Sequence, residues 1–508
     1  MPAIDVGSVV RACLATAACV LSATASAGPA FHRAPPWTAG VPRSASGTPP
    51  WLAPEIFAGD TANAQLGLTV AAADVDGDGY DELLTRTFTG IDPVSGNPDS
   101  SAVLVFSGSA SGPVTPPRVL VSPEGPGVLT YFGDKVVAVG DVNGDGYADV
   151  LVDDERGNDP GDPNNLQFRG TAYLYLGSPD GLSSTPAARL VGDDDESGEF
   201  GFSMAGADVN GDGYSDAIIS EYSSNPDLRE TVFVYYGSPT GLSEDSRTRL
   251  SVQDAPMGYG FAVHSAGDVN GDGYEDIIVG APAYQYGTSG GGAFVYAGSA
   301  SGIVPEPLAI LTGDTPQGDF GYTVTGVGDL DGDGYDDVVV GTDCEPTPTA
   351  DCEFFSFPGA AWVFHGTATG LSTTADAKLL LASDDGSSAG FGAHIEAAGD
   401  VNGDGIPDVA INATQYNGLG AVLVYYGPLT SASLPSIALY DEAAGFSLWG
   451  FWFTLGDLNG DGRLDPAVGA PFYSPSDELS GAGAVYAYLS QADETIFSDG
   501  FDPFRQNR

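Results

Sequence analysis

Short apolar runs separated by glycine-rich turns recur along the whole chain. Many alternate valine or aromatic residues with small or polar ones, as in 231–238 (TVFVYYGS), 293–299 (AFVYAGS) and 361–367 (AWVFHGT). An alternation with a period of two, rich in Val, Tyr and Phe, is typical of β-strands. No stretch of ten residues has a convincing helical period, and the glycines between runs indicate tight turns. The pattern therefore predicts an all-β protein.

The apolar runs recur in units of four. One run precedes an aspartate-rich loop and a second follows it, as at 277–279 and 338–340. A third run alternates with aromatic residues, and a fourth is brief, as at 189–191. Four short strands repeated seven times predict a seven-bladed β-propeller of four-stranded blades, because radial repetition leaves only short, protected sheet edges.

The strand count also predicts how the ring closes. The last unit has only three runs, at 451–455, 466–468 and 484–489. An unassigned run of the fourth kind, 55–57, precedes the first complete unit. An open solenoid would leave that run unpaired and expose sheet edges. We therefore predict that this N-terminal strand completes the last blade and closes the ring.

The aspartate-rich loop occurs once in every unit and follows the pattern D-x-[DN]-G-D-G-x-x-[DE]. Successive loops begin 67, 67, 60, 61, 71 and 57 residues apart. This variation indicates that length changes are confined to the other connections between strands. The loops begin at Asp74, Asp141, Asp208, Asp268, Asp329, Asp400 and Asp457.

The loop carries the oxygen donors of a calcium site. Ca²⁺ takes about six to eight oxygen ligands at roughly 2.3–2.6 Å. Side chains at loop positions 1, 3, 5 and 9 and the carbonyl of position 7 supply five ligands, and the glycine at position 6 allows a sharp turn. We predict up to seven structural Ca²⁺ ions. The predicted ligand residues are Asp74, Asp76, Asp78, Tyr80, Glu82, Asp141, Asn143, Asp145, Tyr147, Asp149, Asp208, Asn210, Asp212, Tyr214, Asp216, Asp268, Asn270, Asp272, Tyr274, Asp276, Asp329, Asp331, Asp333, Tyr335, Asp337, Asp400, Asn402, Asp404, Ile406, Asp408, Asp457, Asn459, Asp461, Arg463 and Asp465.

Three other interpretations of the loop explain its pattern less well than calcium does. An aspartate-rich turn held by its own hydrogen bonds needs no metal, but seven copies at one position of the repeat argue against it. An EF-hand requires a twelfth-position Glu and flanking helices, which are absent. Mg²⁺ suits a flexible five-ligand loop less well than Ca²⁺. The longer Glu82 leaves the geometry of the first site open.

A second motif accompanies the loop. About eight residues ahead of it lies an aromatic-glycine pair, as at 132–133 and 320–321, with 66–67 (Leu-Gly) in the first copy. Gly-Ala-Pro follows the second run at 280–282 and 469–471. Over about residues 51–490 these features resemble the FG-GAP repeats of integrin α-subunit propellers. The resemblance implies a broad face of blade loops that binds protein or glycan ligands. Five copies lack Gly-Ala-Pro, which weakens the family's turn there.

The charge restricts the partners. The formal net charge is −53, from 69 acidic and 16 basic residues. Such a surface repels phosphate backbones, so nucleic acid and anionic membranes are excluded as partners. Seven divalent ions would neutralise only part of this charge.

The ends of the chain resemble processing segments. Residues 1–27 have an apolar run and end in Ala25-Ser26-Ala27, which predicts a secretory signal cleaved near Ala27. Residues 28–50 are predicted to be a flexible leader rich in Pro, Ala and Ser, 51–490 the propeller, and 491–508 a tail. We expect a secreted or cell-surface monomer without a transmembrane segment. The tail's IFSDGFD resembles a C-terminal motif of some secreted bacterial proteins.

Cysteine use fits export. Cys13 and Cys19 fall in the predicted signal, whereas Cys344 and Cys352 lie eight residues apart in one connection. Disulfides form readily in extracellular proteins, so we predict that Cys344 and Cys352 are paired and hold this loop.

No catalytic motif is present in the sequence. There is no H-E-x-x-H, P-loop or G-x-S-x-G, and the four histidines are predicted to be leader, core or turn residues. We therefore predict a non-enzymatic binding or adhesion module, with long connections at 90–101, 156–169 and 344–358 on one rim as candidate recognition loops. The alternative is a carbohydrate-active or phosphoesterase-like hydrolase that uses rim carboxylates.

Overall fold

The computed structural model describes residues 51–91, 98–124, 131–154, 170–192, 198–222, 230–252, 258–282, 290–315, 318–344, 359–381, 390–414, 420–440, 447–476 and 479–490. Regular structure in these ranges consists of 28 strands. No helix in the described part has the length and apolarity that crossing a bilayer requires.

The strands are named in chain order. They are β1 (Glu55–Ala58), β2 (Val70–Ala73), β3 (Glu82–Ile91), β4 (Pro98–Phe106), β5 (Arg118–Val121), β6 (Val136–Gly140), β7 (Asp149–Asp154), β8 (Thr171–Tyr175), β9 (Ala188–Leu190), β10 (Glu199–Ala207), β11 (Asp216–Tyr222), β12 (Thr231–Tyr235), β13 (Arg247–Leu250), β14 (Ala262–Gly267), β15 (Asp276–Ala281), β16 (Gly292–Tyr296), β17 (Ala309–Thr312), β18 (Thr323–Gly328), β19 (Asp337–Thr342), β20 (Ala360–Phe364), β21 (Ala377–Leu380), β22 (Phe391–Gly399), β23 (Asp408–Ala413), β24 (Ala421–Tyr425), β25 (Ile437–Leu439), β26 (Phe453–Gly456), β27 (Asp465–Ala470) and β28 (Ala484–Ala487).

These strands form seven four-stranded antiparallel sheets, each built from consecutive strands except the last. Blade 1 is β2–β5, and blades 2 to 6 follow in steps of four strands. The second and third strands of blades 2 to 7 are buried along their whole length, as the residues of β15 and β16 illustrate. The all-β, seven-bladed prediction is confirmed.

Blade 7 contains strands from both ends of the repeat region. Its sheet order is β1-β28-β27-β26, with β1 antiparallel to β28 from Glu55↔Ala487 to Ala58↔Ala484. On β1, Phe57 is buried and its ring lies 5.0 Å from that of Phe106 in blade 1. The N-terminal strand therefore closes the ring, as predicted.

The hydrophobic core lies between the blades. Each of seven large clusters combines buried residues of two neighbouring blades; one holds Ile218 and Val234 of blade 3 with Val279 and Phe294 of blade 4. The aromatic of each aromatic-glycine pair, such as Tyr259, is buried in such a cluster. These motifs therefore join blades to one another.

The glycine of the pair allows the neighbouring blade to approach closely. Gly321 has φ +91°, a left-handed conformation that favours glycine. A β-carbon there would lie 2.2 Å from the carbonyl oxygen of Gly292 in blade 4. A side chain at this position would force the two blades apart.

Buried polar residues stand where Gly-Ala-Pro is missing. Asn412 Oδ1 accepts the backbone N–H of His394 at 2.8 Å, and Asp153 Oδ1 accepts that of Lys135 at 2.7 Å. These side chains satisfy backbone donors of the adjacent first strand, so the blades keep their form without the motif.

The long connections differ in how far they are described. In the connection at 90–101, β3 and β4 extend as a hairpin, with Gly90 paired to Ser100, and 92–97 lie outside the described residues. The connection at 156–169 and Cys352 also lie outside them. Cys344 is buried, and its pairing with Cys352 stays a prediction. The predicted signal, leader and tail are likewise outside.

Candidate metal centres in the seven aspartate loops

The seven aspartate loops lie on one face of the propeller. Each loop connects the first strand of its blade to the second, as the loop at 141–149 does between β6 and β7. Because strands within a blade are antiparallel, equivalent connections emerge on the same side. We call this side the aspartate-loop face.

The first aspartate of each loop folds the backbone around itself. In loop 2, Asp141 Oδ1 accepts the N–H groups of Gly144 at 2.6 Å and Asp145 at 3.1 Å. Its Oδ2 accepts the N–H of Gly146 at 2.7 Å, and Asn143 Oδ1 accepts that of Asp145 at 2.9 Å. The bond from the sixth residue to Oδ2 of the first recurs in all seven loops.

The ninth residue connects the loop to the blade. Asp149 is fully buried; its Oδ2 accepts the N–H of Val142 at 2.9 Å and its Oδ1 that of Gly177, beyond β8, at 2.8 Å. The equivalent bond from the residue beyond the third strand is present in every blade. The ninth residue thus has a structural role independent of any ion.

Glu82 occupies the same place in loop 1 despite its longer side chain. Its Oε2 accepts the N–H of Val75 at 2.9 Å and its Oε1 that of Gly108 at 3.1 Å. Ligand oxygens of Asp74, Asp76 and Glu82 lie within 4.8 Å of one another. The longer side chain therefore reaches the position that aspartate holds in the other loops.

All predicted ligand residues lie in the described loops, and two loops bring three acidic groups together. Besides loop 1, Asp329, Asp331 and Asp333 of loop 5 have ligand oxygens within 4.8 Å of one another. Both loops have aspartate at position 3, where the other five have asparagine. Their role as metal ligands stays a prediction.

Burial raises the pKa of the ninth residues. Desolvation raises the pKa of Glu82, Asp149, Asp216, Asp276 and Asp465 to about 7, although backbone N–H groups partly oppose it. The neighbouring loop carboxylates, such as Asp145 and Asp141 beside Asp149, raise it further. A bound cation would reverse this balance by favouring the ionised form.

Loop 7 provides a direct test of whether the residues fit a cation. Asp465 is fully buried, and its Oδ2 has no hydrogen-bond partner among the described residues. An unpaired buried carboxylate oxygen is strongly unfavourable unless it is protonated or bound to a cation. Together with carboxylate and amide oxygens at positions 1, 3 and 5, this donor set suits a hard divalent ion such as Ca²⁺.

The loops also contact each other around the ring. The N–H of Ala148 in loop 2 donates to the carbonyl of Asp74 in loop 1 at 3.1 Å, and that of Asp81 donates to the carbonyl of Asp457 at 2.9 Å. A β-carbon at Gly77 would lie 2.7 Å from the Tyr147 ring. Loop 1 therefore contacts the loops of both neighbouring blades.

A contact between a tyrosine of one loop and a glycine of the preceding loop is present at five loops and absent at loops 6 and 7. Seventh-position tyrosines of loops 1 to 5 lie against the fourth-position glycine of the preceding loop. Ile406 and Arg463 replace tyrosine in loops 6 and 7, and a β-carbon at Gly332 or Gly403 would meet nothing within 4 Å. The repeat pattern did not indicate that side chains at position 7 bridge blades.

A histidine near loop 5 was not predicted as part of a site. His365 Nδ1 lies 2.9 Å from Asp337 Oδ2 and 3.8 Å from Asp331 Oδ2. His365 directly precedes Gly366, whose N–H donates to Asp337, and this position in the sequence is the signal that could have placed the histidine near the loop. Knowing the repeat alone was insufficient, because the third strand is distant from the loop in sequence.

Five segments of the chain match the model of the FG-GAP repeat, at 135–175, 259–296, 320–364, 392–425 and 449–488. They fall in blades 2, 4, 5, 6 and 7. The protein is thus a seven-bladed β-propeller containing FG-GAP repeats, similar to the N-terminal propeller of integrin α-subunits.

The sequence relatives are integrin α-subunits. Integrin alpha-6 of Homo sapiens is 37% identical over 146 residues, 28% of this chain and 12% of that protein. Integrin alpha pat-2 of Caenorhabditis briggsae is 31% identical over 256 residues, 47% of this chain and 20% of that protein. The chain therefore matches only a small part of the length of these integrins.

Among solved structures, the rhamnogalacturonan lyase YesW superposes with a TM-score of 0.42 and 16% identity, covering 87% of this chain and 76% of that chain. The exotype rhamnogalacturonan lyase YesX gives 0.40 and 14%, covering 83% and 72%. We assign no function from these two superpositions.

The two roles of the loop acids can be separated by substitution. We expect Asp149→Ala to lower the free energy of unfolding by about 2–4 kcal/mol even without Ca²⁺, because two buried N–H groups lose their acceptor. The exposed Asp145 provides the matched control, and without Ca²⁺ Asp145→Ala should change stability by less than about 1 kcal/mol. Urea denaturation of calcium-free protein measures both. Equal effects of the two substitutions would contradict the structural role of Asp149.

The raised pKa values predict how calcium stabilisation depends on pH. Without calcium, a carboxyl whose folded pKa is about 7 stabilises the fold in its protonated form, and this contribution is lost as pH rises through 7. Calcium requires the ionised form, so its stabilisation is full above pH 7 and declines below it. We expect the gain in melting temperature on adding Ca²⁺ to be much smaller at pH 5 than at pH 8. A constant gain across this range would contradict the prediction.

Proposed function

We propose that this protein is an extracellular β-propeller that Ca²⁺ stabilises and that binds a protein or glycan ligand without catalysis. The observation that carries the proposal is that the two faces of the propeller differ in what their loops do. On the aspartate-loop face, the acids bond to their own loops and the loops bond to neighbouring blades. These acids therefore maintain the scaffold.

The opposite face is the better candidate for recognition. The connections at 90–101, 156–169 and 344–358 join second to third strands, and the described strand ends that border them lie opposite the aspartate loops. Loops on a rigid scaffold commonly carry binding residues, and variation in their length leaves the blades unchanged. The sequence similarity to integrin α-subunits supports a binding role.

A second candidate function rests on two half-buried carboxyl groups of blade 5. Asp319 precedes β18 and Asp343 follows β19, so both lie toward the opposite face. Burial raises the pKa of both groups, and the Asp343 charge raises the pKa of Asp319 further. A carboxyl that stays protonated near neutral pH can act as a general acid in glycoside hydrolysis. This pair favours the hydrolase alternative.

The binding function and the hydrolase function predict different results in binding and turnover assays. We expect the secreted protein to bind immobilised glycans on an array or surface proteins of its native surroundings, and to lose binding when a chelator removes Ca²⁺. Chromogenic glycosides and phosphoesters should show no turnover. Turnover that disappears in Asp319→Asn, with an unchanged melting temperature, would replace the binding proposal with the hydrolase.

Secretion and the monomeric state need their own measurements. We expect mature protein in the culture medium with an N-terminus near Gly28, as N-terminal sequencing would show. Light scattering coupled to size exclusion should give the mass of one chain. Retention in the cell or a dimer mass would contradict these two parts of the proposal.

A further inference from the structure

Blade 5 differs from the other six blades at one position. The position lies beyond the third strand, directly before the glycine or serine whose N–H bonds to the ninth loop residue. In blade 5 the residue at this position is His365. The equivalent residues in blades 1, 2, 3, 4, 6 and 7 are Ser107, Leu176, Tyr236, Ala297, Tyr426 and Leu489.

His365 points into loop 5. Its Nδ1 lies 2.9 Å from Asp337 Oδ2 and 3.8 Å from Asp331 Oδ2, and the ligand atoms of the three residues lie within 4.8 Å of one another. Asp337 is fully buried, and the His365 side chain is only 18% exposed. The imidazole is therefore held beside the acids of the loop.

The separations match the edges of a small coordination polyhedron. Zn²⁺ binds histidine nitrogen and carboxylate oxygen at about 2.0–2.2 Å in tetrahedral geometry, which places adjacent ligand atoms roughly 3.3–3.6 Å apart. The observed 2.9 Å and 3.8 Å bracket that range. Small side-chain movements would therefore let one ion contact all three residues.

The donor chemistry distinguishes this loop from the rest. Ca²⁺ takes oxygen ligands, whereas imidazole nitrogen suits Zn²⁺ and other first-row transition ions. Loop 5 also has a carboxylate, Asp331, at the position where five loops have asparagine. Nitrogen together with additional negative charge favours a transition ion over Ca²⁺.

We propose that loop 5 is a transition-metal site in which His365 Nδ1, Asp331 and Asp337 bind a divalent ion such as Zn²⁺ in preference to Ca²⁺. The inference rests on the proposed role of the loops as metal sites and deepens it. It divides the set into one mixed nitrogen–oxygen site and six all-oxygen sites.

The test titrates untagged, metal-free full-length protein with Zn²⁺ by calorimetry in excess Ca²⁺. Bound Co²⁺ reports its coordination geometry through its visible absorption, and comparison with a His365 variant assigns the nitrogen ligand. We expect one tight equivalent of either ion that Ca²⁺ does not displace. His365→Leu, which installs the residue of blade 2, should weaken this binding by about tenfold or more. The control Tyr426→Leu changes the equivalent position in blade 6 and should leave binding unchanged.

A gain-of-function variant keeps the test valid if His365→Leu fails to fold. Leu176→His places imidazole beside loop 2, and we expect a second Co²⁺ equivalent, weaker because Asn143 stands where loop 5 has Asp331. Calorimetry with Ca²⁺ alone should give the same all-oxygen sites in wild type and in His365→Leu.

The outcomes separate this inference from the proposed function. Two outcomes overturn the inference and leave calcium binding by the other loops intact. One is a Zn²⁺ affinity that is unchanged in folded His365→Leu. The other is the absence in wild type of a Zn²⁺ ion that stays bound in excess Ca²⁺. Zn²⁺ binding that requires His365 in a protein that Ca²⁺ does not stabilise would instead overturn the proposed calcium role and support the inference.

Discussion

Removal of Ca²⁺ by a chelator should lower the melting temperature of this protein by about 10 °C or more. At roughly 1 mM Ca²⁺ and a dissociation constant of about 0.1 mM, one site stabilises the fold by about 1.4 kcal/mol. Seven independent sites together contribute about 10 kcal/mol, comparable with the whole stability of an ordinary domain.

The structure explains why the effect should spread beyond the loops. The loops are bonded to each other across blade boundaries, as Ala148 is to Asp74, so a disordered loop weakens two blades. Differential scanning calorimetry in Ca²⁺, in chelator and after readdition of Ca²⁺ measures the change. Readdition of Mg²⁺ is the control and should restore little. A melting temperature that is the same with and without chelator would refute the structural role of the ions.

The second large effect concerns ring closure. Phe57→Ala should lower the free energy of unfolding by about 3–5 kcal/mol, because it removes a buried aromatic from the seam that joins blade 7 to blade 1. That seam includes Phe106, Leu458 and Val485. The loss weakens the closing strand β1, and an open ring exposes the edge of β28.

Its neighbour Ile56 provides the matched control. Ile56 is 45% exposed on the same strand, and Ile56→Ala should change stability by less than about 1 kcal/mol. Urea denaturation measures both, and hydrogen exchange should show lost protection at residues 484–487 in Phe57→Ala alone. Comparable effects of the two variants would show that β1 does not close the ring.

The residues that hold the scaffold and the acidic residues predicted to bind ions lie in different places. The ninth residues and the aromatic-glycine pairs are buried at seams between strands or blades, where substitution affects folding. The first, third and fifth loop residues are exposed or half-buried, where substitution should affect ion binding with little change to the metal-free fold. Variants therefore separate ion binding from scaffold stability.

The sequence alone determined the β-structure, the number of blades, the ring closure and the seven loops. These properties depend on local alternation and on a repeat whose phase is visible in the residues themselves. The last unit ends after its third run at 484–489, and the additional run at 55–57 is of the fourth kind. These two observations were sufficient to predict a closing strand, because that run supplies the fourth strand that the last blade otherwise lacks.

Only the tertiary structure decided which residues meet across blades. The bond from Ala148 to Asp74, the contact of Tyr147 with Gly77 and the approach of His365 to Asp331 join residues that the repeat pattern treats separately. The physical reason is that strand periodicity specifies which way a side chain faces within its own blade. The distance to a neighbouring loop depends on how the closed ring brings the blades together.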